Sequence, residues 1–156
     1  MRKTLSLLLS VLIAFEPMLF AAVRGKEVRY VGGSIAGLKE NTEGRLALDD
    51  GEAVFTDKKA KDRLLAIPYN KIDSLEYGQK AGRRVGVAVA VSPLFLFSKK
   101  RKHFLTIGFF DADSKKQGAV FELSKGIVKE TLTVLEQKSG KTVEYESEEA
   151  RKQVQK

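Results

Sequence analysis

Between residues 28 and 123 the chain falls into short runs in which apolar and polar side chains trade places, broken by clusters of Gly, Asp, Asn and Lys. Alternation at period two predicts strands, because successive side chains of an extended backbone point to opposite faces. V-R-Y-V-G-G at 28–33 sets Val28 and Tyr30 on one face, with Arg29 and Val31 on the other. R-L-A-L-D-D-G-E-A-V-F-T at 45–56 predicts two strands about Asp50-Gly51. That dipeptide suits a two-residue type I′ turn, which requires positive φ at both turn residues. L-L-A-I at 64–67 runs into Pro68, and Asn70-Lys71 turns the chain into I-D-S-L-E-Y at 72–77. Alternation is imperfect in that last run, and Leu75 and Tyr77 are its candidate buried side. F-L-T-I-G-F-F at 104–110 and G-A-V-F-E-L at 118–123 flank the polar tip 111–117 and predict a second antiparallel hairpin.

The period then changes. Ile127, Val128, Thr131, Leu132, Val134, Leu135 and Lys138 recur at three and four, the spacing of a helix with one apolar stripe. Ser124 is placed to cap its start and Gly140 to end it. The charged stretch 147–156 has little to bury and is predicted to be extended or frayed. Seven strands followed by one amphipathic helix imply a mainly β fold: a small antiparallel barrel of about seven strands, capped by a C-terminal α-helix, with an apolar insertion between the fifth and sixth strands.

This order of elements, together with the phrases G-R-L-A-L-D-D-G-E-A-V-F-T at 44–56 and I-P-Y-N-K-I-D-S-L-E-Y at 67–77, resembles the PH-like superfold, in particular bacterial PH-like and GRAM-like domains. The resemblance spans roughly residues 28–143 and is carried by fold marks, with no catalytic motif among them. It implies a binding or scaffolding module, often for lipid headgroups or peptides. Many phosphoinositide-binding relatives carry several basic residues in the first interstrand loop. In this chain residues 34–42 offer Lys39 alone, a departure from that pattern.

The amino-terminal residues read M-R-K-T-L-S-L-L-L-S-V-L-I-A-F-E-P-M-L-F-A-A, with Arg2 and Lys3 ahead of an apolar run and Ala21-Ala22 at its end. This is the order of a secretory signal. The run at 5–15 is short of the roughly 20 residues a membrane-spanning helix needs. The expected organisation is a signal at 1–22, a barrel domain at 23–146 and a charged tail at 147–156. The expected location is exported, periplasmic or secreted, with an uncleaved anchor as the alternative. The chain holds 28 Lys and Arg against 20 Asp and Glu, a formal +8. Removing 1–22 takes two cations and one carboxylate, so +8 becomes +7 and the surplus still favours anionic partners.

Chemistry is thinly represented. There is no cysteine, hence no disulfide framework or thiolate ligand, and a single histidine, His103. A lone histidine opening a strand beside the cations 99–102 reads as a strand-end residue rather than as a catalytic base. Asp111 and Asp113 resemble the start of a calcium loop, but Lys115 and Lys116 stand where oxygen ligands are wanted. Gly32, Gly33 and Gly37 match neither phosphate-cradling glycine pattern. The expectation is a non-enzymatic protein with no cofactor and no metal.

The segment that composition singles out as a candidate for function is R-V-G-V-A-V-A-V-S-P-L-F-L-F-S-K-K-R-K-H at 84–103. Thirteen uncharged residues, 85–97, are interrupted at Ser92-Pro93 and stand between two basic shoulders. As a helix they would rise about 20 Å, short of the roughly 30 Å hydrocarbon core. An apolar tip between cations has the composition of an interfacial anchor, since each cation near anionic headgroups contributes about 1 kcal/mol. The candidate contact residues are Arg83, Arg84, Leu94, Phe95, Leu96, Phe97, Lys99, Lys100, Arg101 and Lys102. Their expected partner is an anionic lipid surface or a protein. The alternative is a structural or assembly role in which the same loop is buried, against its own sheet or against a second copy in a homo-oligomer. Nucleic acid is not an expected partner, because stacking aromatics are sparse near the cations.

Overall fold

The computed structural model describes residues 25–79 and 102–155. Within them the seven predicted strands all form: β1 (Lys26–Gly33), β2 (Thr42–Leu48), β3 (Glu52–Asp57), β4 (Arg63–Pro68), β5 (Ile72–Gly78), β6 (His103–Phe110) and β7 (Lys116–Leu123). A 3-10 turn, Tyr69–Lys71, links β4 to β5, and a second, Lys125–Ile127, leads into helix α1 (Val128–Ser139). An eighth strand, β8 (Val143–Tyr145), and a short helix, α2 (Glu148–Gln155), complete the chain.

The strands make one mixed sheet in the order β4-β3-β2-β1-β7-β6-β5-β8. Seven are joined antiparallel, whereas β8 lies parallel to β5, with Leu75, Glu76 and Tyr77 opposite Val143, Glu144 and Tyr145. The predicted barrel is therefore corrected to a sheet not closed by strand pairing. Its edges are β4 and β8, and β8 occupies the outer side of β5 where a closing strand would have to pair.

Alternation explains which residues fill the interior. Val28 and Tyr30 of β1, Leu46 of β2, Phe55 of β3, Leu75 and Tyr77 of β5, Leu105, Ile107 and Phe109 of β6, and Phe121 and Leu123 of β7 share one core. Val128, Leu132 and Leu135 of α1 join it from the helical stripe. Tyr30, Phe55 and Phe121 form its aromatic centre, with ring centroids 5.3 to 6.3 Å apart. The pattern slips where strands bulge. Val31 sits at a register shift between Tyr30 and Gly32 and is buried, although simple alternation assigns it to the face of Arg29.

Three local expectations change. The β2–β3 hairpin turns at Asp50-Gly51, but neither residue has positive φ, so the turn is not type I′. Tertiary contacts hold it instead. The Tyr69 hydroxyl donates to the Asp49 carbonyl at 2.8 Å, the Tyr69 N–H donates to Gly51 O at 3.2 Å, and Lys138 Nζ of α1 reaches the Asp49 carbonyl at 2.8 Å. Ser124 makes no side-chain cap, because a 3-10 turn intervenes and α1 starts after Ile127. Gly140 does end α1, at φ 68°, its N–H donating to Glu136 O at 2.9 Å. Finally, the tail is helical rather than extended. Ala150 and Val154, one turn apart, are buried against the body, and the Ser147 hydroxyl accepts the Ala150 N–H at 3.2 Å.

Candidate functional site

Of the ten residues singled out from the sequence, the structure describes Lys102. Arg83, Arg84, Leu94, Phe95, Leu96, Phe97, Lys99, Lys100 and Arg101 lie outside the described residues, as does the signal read at 1–22. What the structure gives is the site from which the segment 80–101 springs: the paired ends of β5 and β6, where Gly78 faces Phe104 across the sheet.

Both roots are tied down. On the β5 side the Gln79 N–H donates to Glu146 Oε2 at 2.7 Å, and Gln79 Nε2 donates to Gln153 Oε1 of α2 at 3.1 Å. The Glu146 N–H in turn donates to Tyr77 O at 2.8 Å. Gly78 permits this approach, since a Cβ there would fall 2.6 Å from Glu146 Oε2. On the β6 side Lys102 Nζ donates to Glu122 Oε2 at 3.2 Å.

Lys102 is the last member of a line of charges crossing the sheet. Arg29 stands in register with Glu43 on one neighbouring strand and Glu122 on the other. Its guanidinium reaches Glu43 Oε1 at 2.9 Å and Glu122 Oε2 at 3.4 Å. Lys58, from the β3–β4 turn, pairs with the other oxygen of Glu43. The line Lys58–Glu43–Arg29–Glu122–Lys102 thus alternates in sign and carries three cations on two carboxylates. Lys58 and Arg29 together hold the Glu43 carboxyl at about 2, well below the usual range. These are partly exposed pairs weakened by solvent screening, so the line orients side chains more than it stabilises the fold. It borders an open groove of about 510 Å³, with Val28, Leu123 and Ile127 as its apolar floor.

His103 lies under the same root. Its Nδ1 is 2.5 Å from the Tyr77 hydroxyl, the two rings stack with centroids 6.1 Å apart, and Tyr145 meets Tyr77 edge-on at 5.9 Å. Burial pushes the Tyr77 hydroxyl up to about 12. Burial, and secondarily the charge of Lys125, pushes the His103 imidazole below its ordinary value. A neutral imidazole with a hydroxyl partner is a structural contact that closes the core end of β5 and β6.

Asp111, considered for a calcium loop, spends its carboxylate on its own turn. Oδ1 accepts the N–H groups of Asp113 and Lys115, both at 2.9 Å, and Oδ2 accepts Gln117 Nε2 at 2.8 Å.

Sequence reasoning located the loop root but missed the groups that hold it: Arg29, Glu43, Glu122, Glu146 and Gln153. Each is an ordinary polar residue of a strand or of the tail. Only the pairing of β1 with both β2 and β7 shows that Arg29 faces two carboxylates. Comparison with protein-family models and with curated proteins gives no match for this chain.

Proposed function

We propose that this protein is an exported, non-enzymatic PH-like binding module that contacts an anionic membrane surface, or a protein partner, through the segment 79–103. The observation that carries this reading is the element order. Four antiparallel strands continue through β7, β6 and β5, an amphipathic helix packs into the core, and the basic, apolar segment is inserted between β5 and β6. This order of strands and helix supports the PH-like reading, while the sheet is not closed into the expected barrel and carries β8 and α2 as additions at the β5 edge. The roots of the segment are pinned at Gln79 and Lys102, beside the Gly78–Phe104 pair of β5 and β6.

The physics of the contact is additive. Arg83, Arg84, Lys99, Lys100 and Arg101 each contribute about 1 kcal/mol near anionic headgroups, and Phe95 and Phe97 bring apolar surface to the acyl boundary. No helix among the described residues is long and apolar enough to cross a membrane. Contact at a surface does not require one.

The test is co-sedimentation of the protein lacking residues 1–22 with vesicles of phosphatidylcholine alone or mixed with phosphatidylserine. Binding is expected to the anionic vesicles only, to weaken as salt is raised, and to weaken again in Phe95→Asp. Equal failure on both vesicle types removes the lipid reading. Light scattering on the same samples separates the assembly role: there Phe95→Asp lowers the particle mass and vesicles have no effect.

A further inference from the structure

The end of the sheet opposite the roots Gln79 and Lys102 carries a second surface. Ile72 faces Phe109 at that end, a strand length of about 20 Å from the Gly78–Phe104 pair. There a groove of about 440 Å³ runs between the 3-10 turn after β4, the tip of the β6–β7 hairpin and the chain just after α1. Phe110 forms one wall, and at 38% it is the exposed large hydrophobic side chain among the described residues. Lys71 and Lys141 flank it, and Asn70 and Ser114 add hydrogen-bonding groups.

The charges in this groove do not cancel. Its carboxylate, Asp73, is already paired with Lys116 at 2.6 Å, while Lys71 and Lys141 form no ion pair among the described residues. Asp111, beside Phe110 in the chain, is occupied by its own turn. The groove therefore offers an aromatic wall and two uncompensated ammonium groups, complementary to a ligand that is acidic and partly apolar. Its shape narrows the choice further. Phe110 borders a shallow, open groove, and an extended peptide can lay one side chain on its ring.

We propose that this groove docks an acidic linear segment of a protein partner, with an apolar side chain of that segment against Phe110 and its carboxylates on Lys71 and Lys141. A module with one face for an anionic surface and the opposite end for an acidic peptide is an adaptor. The groove lies at the end of β5 and β6 opposite Gln79 and Lys102, the roots of the 79–103 segment.

The experiment is selection from a random peptide library on the immobilised full chain, followed by fluorescence anisotropy with the best synthetic peptide. Enriched sequences are expected to place two or more Asp or Glu around a Leu, Ile or Phe. Affinity should fall at least tenfold for the double variant Lys71→Glu/Lys141→Glu, and severalfold for Phe110→Ser. Phe95→Asp should bind the peptide normally, which separates this proposal from the one above. Lys71 and Lys141 are exposed and unpaired, so their reversal leaves the fold intact, as circular dichroism will verify. Absence of an acidic consensus, or undiminished peptide binding by the double variant, overturns the proposal. It is also overturned, in favour of lipid, if the same variants lose phosphatidylserine vesicles instead.

Discussion

Gly51→Ala separates two accounts of the β2–β3 hairpin. If Asp50-Gly51 formed a type I′ turn, alanine at position 51 would be forced to positive φ, at a cost of about 1–2 kcal/mol. In the structure neither residue has positive φ, and a Cβ on Gly51 meets no atom within 4 Å. The folded state then loses nothing, while the unfolded chain loses conformational freedom, so stability should rise by about 0.4–1 kcal/mol. In urea this appears as an increase of roughly 0.2–0.5 M in the unfolding midpoint with unchanged slope. Tyr69→Phe is the complementary perturbation, since it removes the hydroxyl that donates to Asp49 O at 2.8 Å. Its cost should be about 1 kcal/mol, because Lys138 still donates to the same carbonyl. Combining it with Lys138→Met should cost more than the sum of the two, since the second loss leaves Asp49 O without either donor. A fall of 1 kcal/mol or more in Gly51→Ala would refute the claim that tertiary contacts, not turn preference, set this hairpin.

Two further outcomes follow from the core and from the single histidine. Phe121→Ala, at the centre of the aromatic cluster with Tyr30 and Phe55, should cost about 3–5 kcal/mol by chemical denaturation, whereas a loss under 1 kcal/mol would deny that cluster its central place. His103, as the one imidazole in the chain, gives a single titrating resonance whose midpoint should lie below 6.5. Its folded value is depressed, so its contribution to stability is present above 6.5 and is lost as pH falls through the folded value. A midpoint above 6.5 would contradict the buried, neutral contact with Tyr77.

Strand positions were legible because a period of two survives in any sequence that buries one face of a sheet. Val28 and Tyr30, and Leu75 and Tyr77, are read from alternation and found in the core. Helix α1 was legible for the same reason at period 3.6, and Gly140 because a left-handed C-cap favours glycine. Helix α2 was not, since Ala150 and Val154 are too few to make a stripe in a window of mostly charged residues. Its docking depends on Gln79 meeting Gln153 and on Tyr145 meeting Tyr77.

The sequence by itself determined the mainly β class, the seven antiparallel strands, the closing helix and the basic, apolar segment between β5 and β6. All of these are encoded in periodicity and composition along the chain. The tertiary structure decided the open edge with its parallel eighth strand, the turn at Asp50-Gly51, the alternating charges from Lys58 to Lys102 and the groove beside Phe110. Each of these joins residues distant in the chain, and the distances that join them are set by the packing of the sheet.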